Sequence, residues 1–366
     1  MENLAKLRQW TQDQQLDVVY ISDPVNINYY TGFYSEPHER TLGLFVFADQ
    51  EPFIFAPALE VEVVKATGWP YDVYGYLDHE DAYAMIADQI KRRVANPIKW
   101  GIEKAQLQFK RYEALIAHFP NAEFDIDVTD FVAHQKLFKT DAEIQLMIAA
   151  GKEADNAFKV GFEAVSSART EQQVVAEIEY AMMKQGVMHM SFDTIVQSGA
   201  NAANPHGAPL PEKIKPNALV LFDLGTNHKG YMSDASRTVA YGKIDDKSRD
   251  IYKVCLEAQL AAMDAAKPGI TAAELDQVAR DIITKAGYGD YFIHRLGHGI
   301  GMSDHEFPSI MAGNDLELKP GMCFSIEPGI YIPKVAGVRI EDCIHLTETG
   351  NEPFTHTTKE LIELPL

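Results

Sequence analysis

Cysteine is scarce: Cys255, Cys323 and Cys343 are the only three in 366 residues, and they lie far apart. They read as buried free thiols in a reducing compartment. Long hydrophobic runs are also missing. No stretch of ~18 apolar residues occurs, which excludes a membrane-spanning helix. The first ten residues, Met1 to Trp10, space their apolar side chains as a helix does and contain no continuous apolar core, so no secretory signal is expected. Positive charge is in deficit, with 33 Lys and Arg against 53 Asp and Glu, a net charge of −20. That balance argues against nucleic acid or anionic membrane as a partner. No segment is low in complexity. What remains is ordinary for a soluble globular chain, 46 % apolar and 23 % charged, and a cytoplasmic protein is expected. The length suits two domains.

Alternating strand and helix patterns fill the first ~125 residues. Val18-Val19-Tyr20-Ile21 is a short apolar strand closed by Ser22-Asp23-Pro24, and the runs at 43–47 and 53–56 read as a strand pair. A later strand is predicted at 98–102, with helices near 82–94 and 107–117. Thr140-Asp141-Ala142-Glu143 is a capping box that opens a long helix to about Val165. The domain division is expected at 128, with an α/β domain at 1–128 and a second domain at 129–366.

The second part carries a weak internal repeat. Thr170-Glu171-Gln172-Gln173 and Thr271-Ala272-Ala273-Glu274 both start helices that run to a glycine, Gly186 and Gly287. The segment 215–225 then aligns without a gap to 319–329, 104 residues on: a turn, an apolar strand, a carboxylate and a glycine. Asp223 ends one strand and Glu327 the other. A buried ionised carboxylate is costly unless paired or bound to a cation. Asp234 follows Asp223 by 11 residues across a turn, and Glu341 follows Glu327 by 14. Four carboxylates from two matched hairpins repel one another unless cations lie between them. His298, in Leu296-Gly297-His298-Gly299, offers an imidazole whose flanking glycines allow close approach. Carboxylates with one histidine suit Mn²⁺, Co²⁺, Fe²⁺ or Zn²⁺. Taken singly, Asp223 reads as a turn former and Glu327 as a strand terminator; taken as a set, the five residues read as metal ligands.

In order and local context, Asp223, Asp234, His298, Glu327 and Glu341 resemble the ligands of the pita-bread metallopeptidases, which include methionine aminopeptidase, aminopeptidase P, prolidase and creatinase. Tyr231–Thr238, His294–Gly299, His305-Glu306-Phe307-Pro308 and Ser325–Tyr331 look like the proline-directed branch, and Asn26–Phe33 resembles its N-terminal domain. Ala235-Ser236 departs from the threonine that many relatives carry before the arginine, at no ligand position. The resemblance covers essentially the whole chain. It implies a mixed α/β fold, with a creatinase-like N-terminal domain and a C-terminal pita-bread domain of pseudo-two-fold symmetry. It also implies two divalent ions, Mn²⁺ first and Zn²⁺ or Co²⁺ as alternatives, that activate a hydroxide to hydrolyse Xaa-Pro dipeptides. Asp223 would hold one ion, His298 and Glu327 the other, and Asp234 and Glu341 both. Glu327 would shuttle the proton, and His206 and His305 would hydrogen-bond substrate and intermediate.

The expected partners are small peptides with proline in second position and a second copy of the chain. A dipeptidase must also hold the free carboxylate after proline. Arg295 is read as that clamp and Arg339 as support for Glu341, with the reverse assignment standing as an alternative. Arg339 and Glu341 are expected on one face of a strand. His38, in Glu36-Pro37-His38-Glu39-Arg40, lies in a loop that either acts as a lid across a dimer or is simply solvated. Aminopeptidase P acting on longer peptides and a non-catalytic pita-bread binding module are the competing readings. The module is disfavoured because all five ligands are present.

Overall fold

Side-chain caps set most helix starts in the computed structural model, which describes residues 1–366. Two compact units result, Met1–Gln135 and Lys136–Leu366. The first runs α1 (Glu2–Asp13), β1 (Val18–Ile21), α2 (Pro24–Thr31), β2 (Gly43–Val46), β3 (Phe53–Pro57) and α3 (Val61–Ala66). It continues through β4 (Asp72–Tyr76), α4 (Ala82–Arg93), β5 (Lys99–Ile102), α5 (Phe109–His118) and β6 (Glu123–Asp127) into α6 (Thr129–Leu137). The units divide within α6.

The six strands form one mixed sheet in the order β4-β3-β2-β1-β5-β6, with β1 antiparallel to β2 and parallel to β5. Alternate side chains reach opposite faces. Val19, Ile21, Leu44 and Ile54 pack with Leu4, Leu7 and Ile27 on one face. Tyr20, Phe45, Phe53 and Phe55 pack with Ile86, Ile90 and Leu115 on the other. Burial of both faces explains why the strands read as unbroken apolar runs. Asp23 starts α2 by accepting a 2.9 Å hydrogen bond from Asn26 N, and Gly32, at φ 73°, ends it. The following loop carries His38 in an exposed turn at φ 53° and Arg40 paired with Asp78 at 2.8 Å.

The second unit opens with α7 (Asp141–Ala164), α8 (Glu171–Lys184), β7 (Ile195–Ser198) and β8 (Ala218–Leu224). Next come β9 (Asn227–His228), β10 (Tyr231–Met232), β11 (Ala235–Tyr241), α9 (Asp246–Ala265), α10 (Ala272–Lys285), β12 (Gly297–Gly299) and β13 (Glu306–Ile310). It ends with β14 (Cys323–Ile326), β15 (Gly329–Ile332), β16 (Ala336–Arg339), β17 (Asp342–Leu346), β18 (Asn351–Pro353) and β19 (Glu363–Leu364). All three expected capping boxes form, each worth about 1 kcal/mol against alanine. The glycines after α8 and α10 take the left-handed conformation, φ 93° at Gly186 and 86° at Gly287.

The repeat appears as two related halves. β8 pairs antiparallel with β11, Asp223 opposite Ser236, and the β9–β10 ribbon projects from their tip. β14 pairs antiparallel with β17, Ile326 opposite Asp342, with the β15–β16 ribbon in the same place. The sheets are β19-β11-β8-β7 and β13-β12-β14-β17-β18. Each half has its own apolar core, Phe158, Ile178, Phe222 and Val239 in one, Cys255, Leu275, Phe324 and Ile344 in the other. The three thiols are buried and free. No helix is long and apolar enough to cross a membrane. One expectation needs correction: Arg339 and Glu341 do not share a strand. The chain leaves β16 at Arg339 and enters β17 at Asp342, because β16 pairs with β15 and β17 with β14.

Candidate metal centre

Four of the five expected ligands sit at or beside strand ends. Asp223 lies near the end of β8 and Asp234 directly before β11. Glu327 directly follows β14, and Glu341 directly precedes β17. His298 is the central residue of β12, and its two glycines are required by contact. A Cβ on Gly297 would lie 1.9 Å from Ser325 O, and one on Gly299 2.2 Å from Phe307 O. Either side chain would push β12 off its neighbours, and His298 N could no longer donate its 3.0 Å hydrogen bond to Ser325 Oγ.

Asp234, His298 and Glu341 are buried, and one ligand-type atom from each lies within 4.8 Å of the others. His298 Nε2 is 3.1 Å from Glu327 Oε1 and 3.6 Å from Asp234 Oδ2. Asp223 Oδ2 accepts from the Arg339 guanidinium. Three buried carboxylate oxygens of this cluster have no hydrogen-bond partner: Asp223 Oδ1, Asp234 Oδ1 and Glu341 Oε1. The electrostatics match. Burial first, then the neighbouring carboxylates, raise Asp234 and Glu341 well above the ordinary range. Burial would raise Glu327 too, but the hydrogen bond and charge of His298 outweigh it and hold the carboxyl at about 2. His298 is shifted up: burial opposes its charge, and Glu327 overcomes it. Unpartnered buried carboxylate oxygens cost several kcal/mol. Hard oxygen donors with one imidazole are what a divalent cation takes up. The residues fit the group.

Around these five lies a ring of buried supports. Arg339 donates from Nε to Ser236 Oγ at 2.8 Å, from Nη1 to Tyr331 OH at 2.8 Å, and from Nη2 to Asp223. Ser236 Oγ donates in turn to Glu341 Oε2 at 2.7 Å. Ser325 Oγ donates to Glu327 Oε1 at 2.9 Å. The Tyr331 hydroxyl meets His294 Nε2 at 2.9 Å, and burial lowers the His294 pKa. Sequence reading left His294 and Tyr331 without a role, although both lie inside motifs it singled out.

The carboxylates open onto a cavity of about 800 Å³, also lined by Phe192, Ile195, His206, Ile293, Arg295 and His305. Every lining residue belongs to the second unit, and His38 belongs to the first. His206 is exposed, just after a 3₁₀ turn at Gly199–Ala203. The His305 ring packs on that of His298, centroids 3.9 Å apart, and burial and His298 both lower its pKa. Arg295 donates from Nη1 to Ser309 Oγ at 2.7 Å, and its Nη2 is 3.3 Å from His305 Nδ1. The apolar wall of Phe192, Ile195 and Ile293 had no signal in the sequence, since no motif marks it.

Comparison with known proteins gives one consistent result. Residues 145–348 match metallopeptidase family M24, and residues 3–135 match the creatinase/prolidase N-terminal domain. The chain is 59 % identical over 365 residues to an Xaa-Pro dipeptidase of Lactobacillus delbrueckii subsp. lactis, covering 100 % of this chain and 99 % of the relative. It is 57 % identical to an Xaa-Pro dipeptidase of Lactobacillus helveticus, with the same coverage. Among solved structures, an Xaa-Pro dipeptidase from Bacillus anthracis superposes with a TM-score of 0.91 at 35 % identity, covering 100 % of this chain and 99 % of that one.

Proposed function

The chain belongs to metallopeptidase family M24, and on that premise we propose that it hydrolyses Xaa-Pro dipeptides with two divalent ions, Mn²⁺ or else Zn²⁺ or Co²⁺. The observation that carries the proposal is the set of three buried, unpartnered carboxylate oxygens on Asp223, Asp234 and Glu341, gathered with His298 and Glu327 at one cavity. Asp223 would hold one ion, His298 with Glu327 the other, and Asp234 and Glu341 both. Bound there, the ions supply a Lewis acid for the scissile carbonyl and a water acidic enough to attack as hydroxide at neutral pH.

The chain's own residues do the rest. Glu327 takes the proton of the attacking water and delivers it to the departing proline nitrogen. His206 and His305 line the cavity and donate hydrogen bonds to the substrate carbonyl and the oxyanion that develops from it. An Xaa-Pro bond has no N–H, so recognition falls to the ring's shape and to the groups on either side. Arg295, which lines the cavity, receives the substrate carboxylate. The Arg339 guanidinium is engaged on Asp223, Ser236 and Tyr331, which supports the supporting role over the clamp.

The decisive test uses chelator-treated protein resupplied with Mn²⁺, Zn²⁺ or Co²⁺ and offered Leu-Pro, Ala-Pro and Leu-Pro-Pro. Metal-dependent cleavage of the dipeptides and not the tripeptide is expected. Preference for the tripeptide would make the chain an aminopeptidase P, and no cleavage of either would make it a binding module. We further propose a cytoplasmic homodimer in which the His38 loop serves the partner's site. Sedimentation at about twice the 40.9 kDa chain mass is expected, and a fully active monomer would refute the dimer. Recovery from the medium and not the cell lysate would refute the location.

A further inference from the structure

Two lysines and one glutamate lie buried beside the metal centre, and nothing above gives them work. Glu306 opens β13 directly after His305, and its side chain is only 4 % exposed. Lys139 reaches its Oε2 at 3.1 Å and Lys136 its Oε1 at 3.1 Å. The two lysine side chains are 3 % and 12 % exposed. Three buried charges are a costly way to fill space, since well-packed apolar residues would do it as well or better. Their geometry points elsewhere. Glu306 Oε1 also accepts from Met302 N at 3.1 Å and Ser303 N at 3.2 Å, so the carboxylate ties both ends of the loop that carries Asp304 and His305.

The loop is held on its other sides as well. Gly301 N donates to Ser303 O at 3.1 Å, and Gly301 O accepts from Met232 N at 2.8 Å. Gly301 lies so close to the charged trio that a Cβ there would fall 2.7 Å from Glu306 Oε2 and 2.9 Å from Lys139 Cε. Lys139 is itself anchored, because its N–H donates to Gly321 O at 2.9 Å and Thr140, the next residue, caps α7. Glu306 points inward to the lysines, while His305 lines the cavity with its ring on that of His298.

We propose that Lys139, with Lys136, is a positioning residue for the hydrolysis: through Glu306 it holds the 301–306 loop so that His305 stays over His298 and faces the substrate. The inference rests on the substrate role given to His305. Lys139 touches neither substrate nor metal ligand, so its effect must pass through the histidine.

A double-mutant cycle tests this, with kcat and KM for an Xaa-Pro dipeptide measured at saturating Mn²⁺ on wild type, Lys139→Met, His305→Ala and the pair. Lys139→Met should lower kcat/KM about 10- to 100-fold, the range for a catalytic group misplaced by about 1 Å, with metal content equal to wild type. Lys139→Arg should recover most of the loss. In the His305→Ala background Lys139→Met should change kcat/KM by less than about twofold, since groups acting as one unit are not additive. If Lys139→Met yields no folded protein, Lys136→Met, the more exposed partner, takes its place in the cycle with the same expectations. A disabled His305→Ala enzyme on which the lysine change still costs its full factor would overturn the inference alone. A fully active His305→Ala enzyme would overturn both the inference and the role of His305 beneath it.

Discussion

Replacing Asp234 by asparagine should destroy the enzyme and yet stabilise its metal-free form. Asp234 and Glu341 offer ligand atoms within 4.8 Å of each other, and two negative charges at that distance repel by about 3.5 kcal/mol at an effective dielectric of about 20. Protonation of one carboxyl relieves part of this in the stripped protein, as their raised pKa values indicate. The attraction of Asp234 to Arg339 and to His298, 3.6 Å away, is lost on substitution. Glu341 Oε1, which has no partner in the native chain, loses an anionic neighbour. The balance is a gain on the order of 1–2 kcal/mol, or roughly 2–8 °C in Tm for a unit of this size. With metal the order inverts. Each ion at a hundred times its Kd stabilises the native protein by about 2.7 kcal/mol, and the variant forfeits that together with turnover. Scanning calorimetry on chelator-dialysed and Mn²⁺-loaded samples, with metal content by mass spectrometry, reads all four values. A stripped Asp234→Asn protein that melts below stripped wild type would refute the electrostatic reading of the centre.

The surrounding residues carry three further predictions. Arg295→Ala should raise KM for an Xaa-Pro dipeptide about 10- to 150-fold, the worth of one charged hydrogen bond, and affect a tripeptide far less. Arg339→Ala should instead reduce kcat/KM equally on both peptides and weaken metal binding, since it frees Asp223 and Ser236; steady-state kinetics that reverse this pattern would exchange the two roles. Burial alone would raise the Glu306 carboxyl, but Lys139 and Lys136 outweigh it and the net shift is downward. With the folded pKa below the unfolded value of about 4.3, the unfolded chain takes up the proton first. That contribution to stability is therefore full above about 4.3 and disappears as pH falls through the folded value. Glu306→Gln should accordingly lose less Tm than wild type on acidification from about pH 6 to pH 3, and equal losses in thermal melts would show that the ion trio carries no such linkage.

Asp223 and Glu327 are legible because each is announced locally, by a turn, an apolar strand, a carboxylate and a glycine, and Asp234, Glu341 and His298 by their spacing and flanking glycines. The match of 215–225 to 319–329 made coincidence untenable. Helix starts were equally legible, since a capping box closes within four residues and needs no distant partner. Arg339 marks where that reach ended. Period-two reasoning placed it on one face with Glu341, whereas the chain switches from one strand partner to another between them. Its guanidinium reaches Asp223, 116 positions back in the chain.

By itself, then, the sequence determined what depends on near neighbours: the strand and helix content, the two matched hairpins, and the five candidate ligands they carry. Tertiary structure alone decided which partners those side chains keep. Lys139 and Glu306 are 167 residues apart, and Ser236 and Glu341 are 105 apart. Such pairs meet only once the two halves have packed, because their contacts are set by chain crossings that no local pattern encodes. The same holds for the wall of Phe192, Ile195 and Ile293 and for the Tyr331–His294 contact behind the ligands. Short-range hydrogen bonding and periodicity write the candidate ligands into the sequence, and long-range packing arranges what surrounds them.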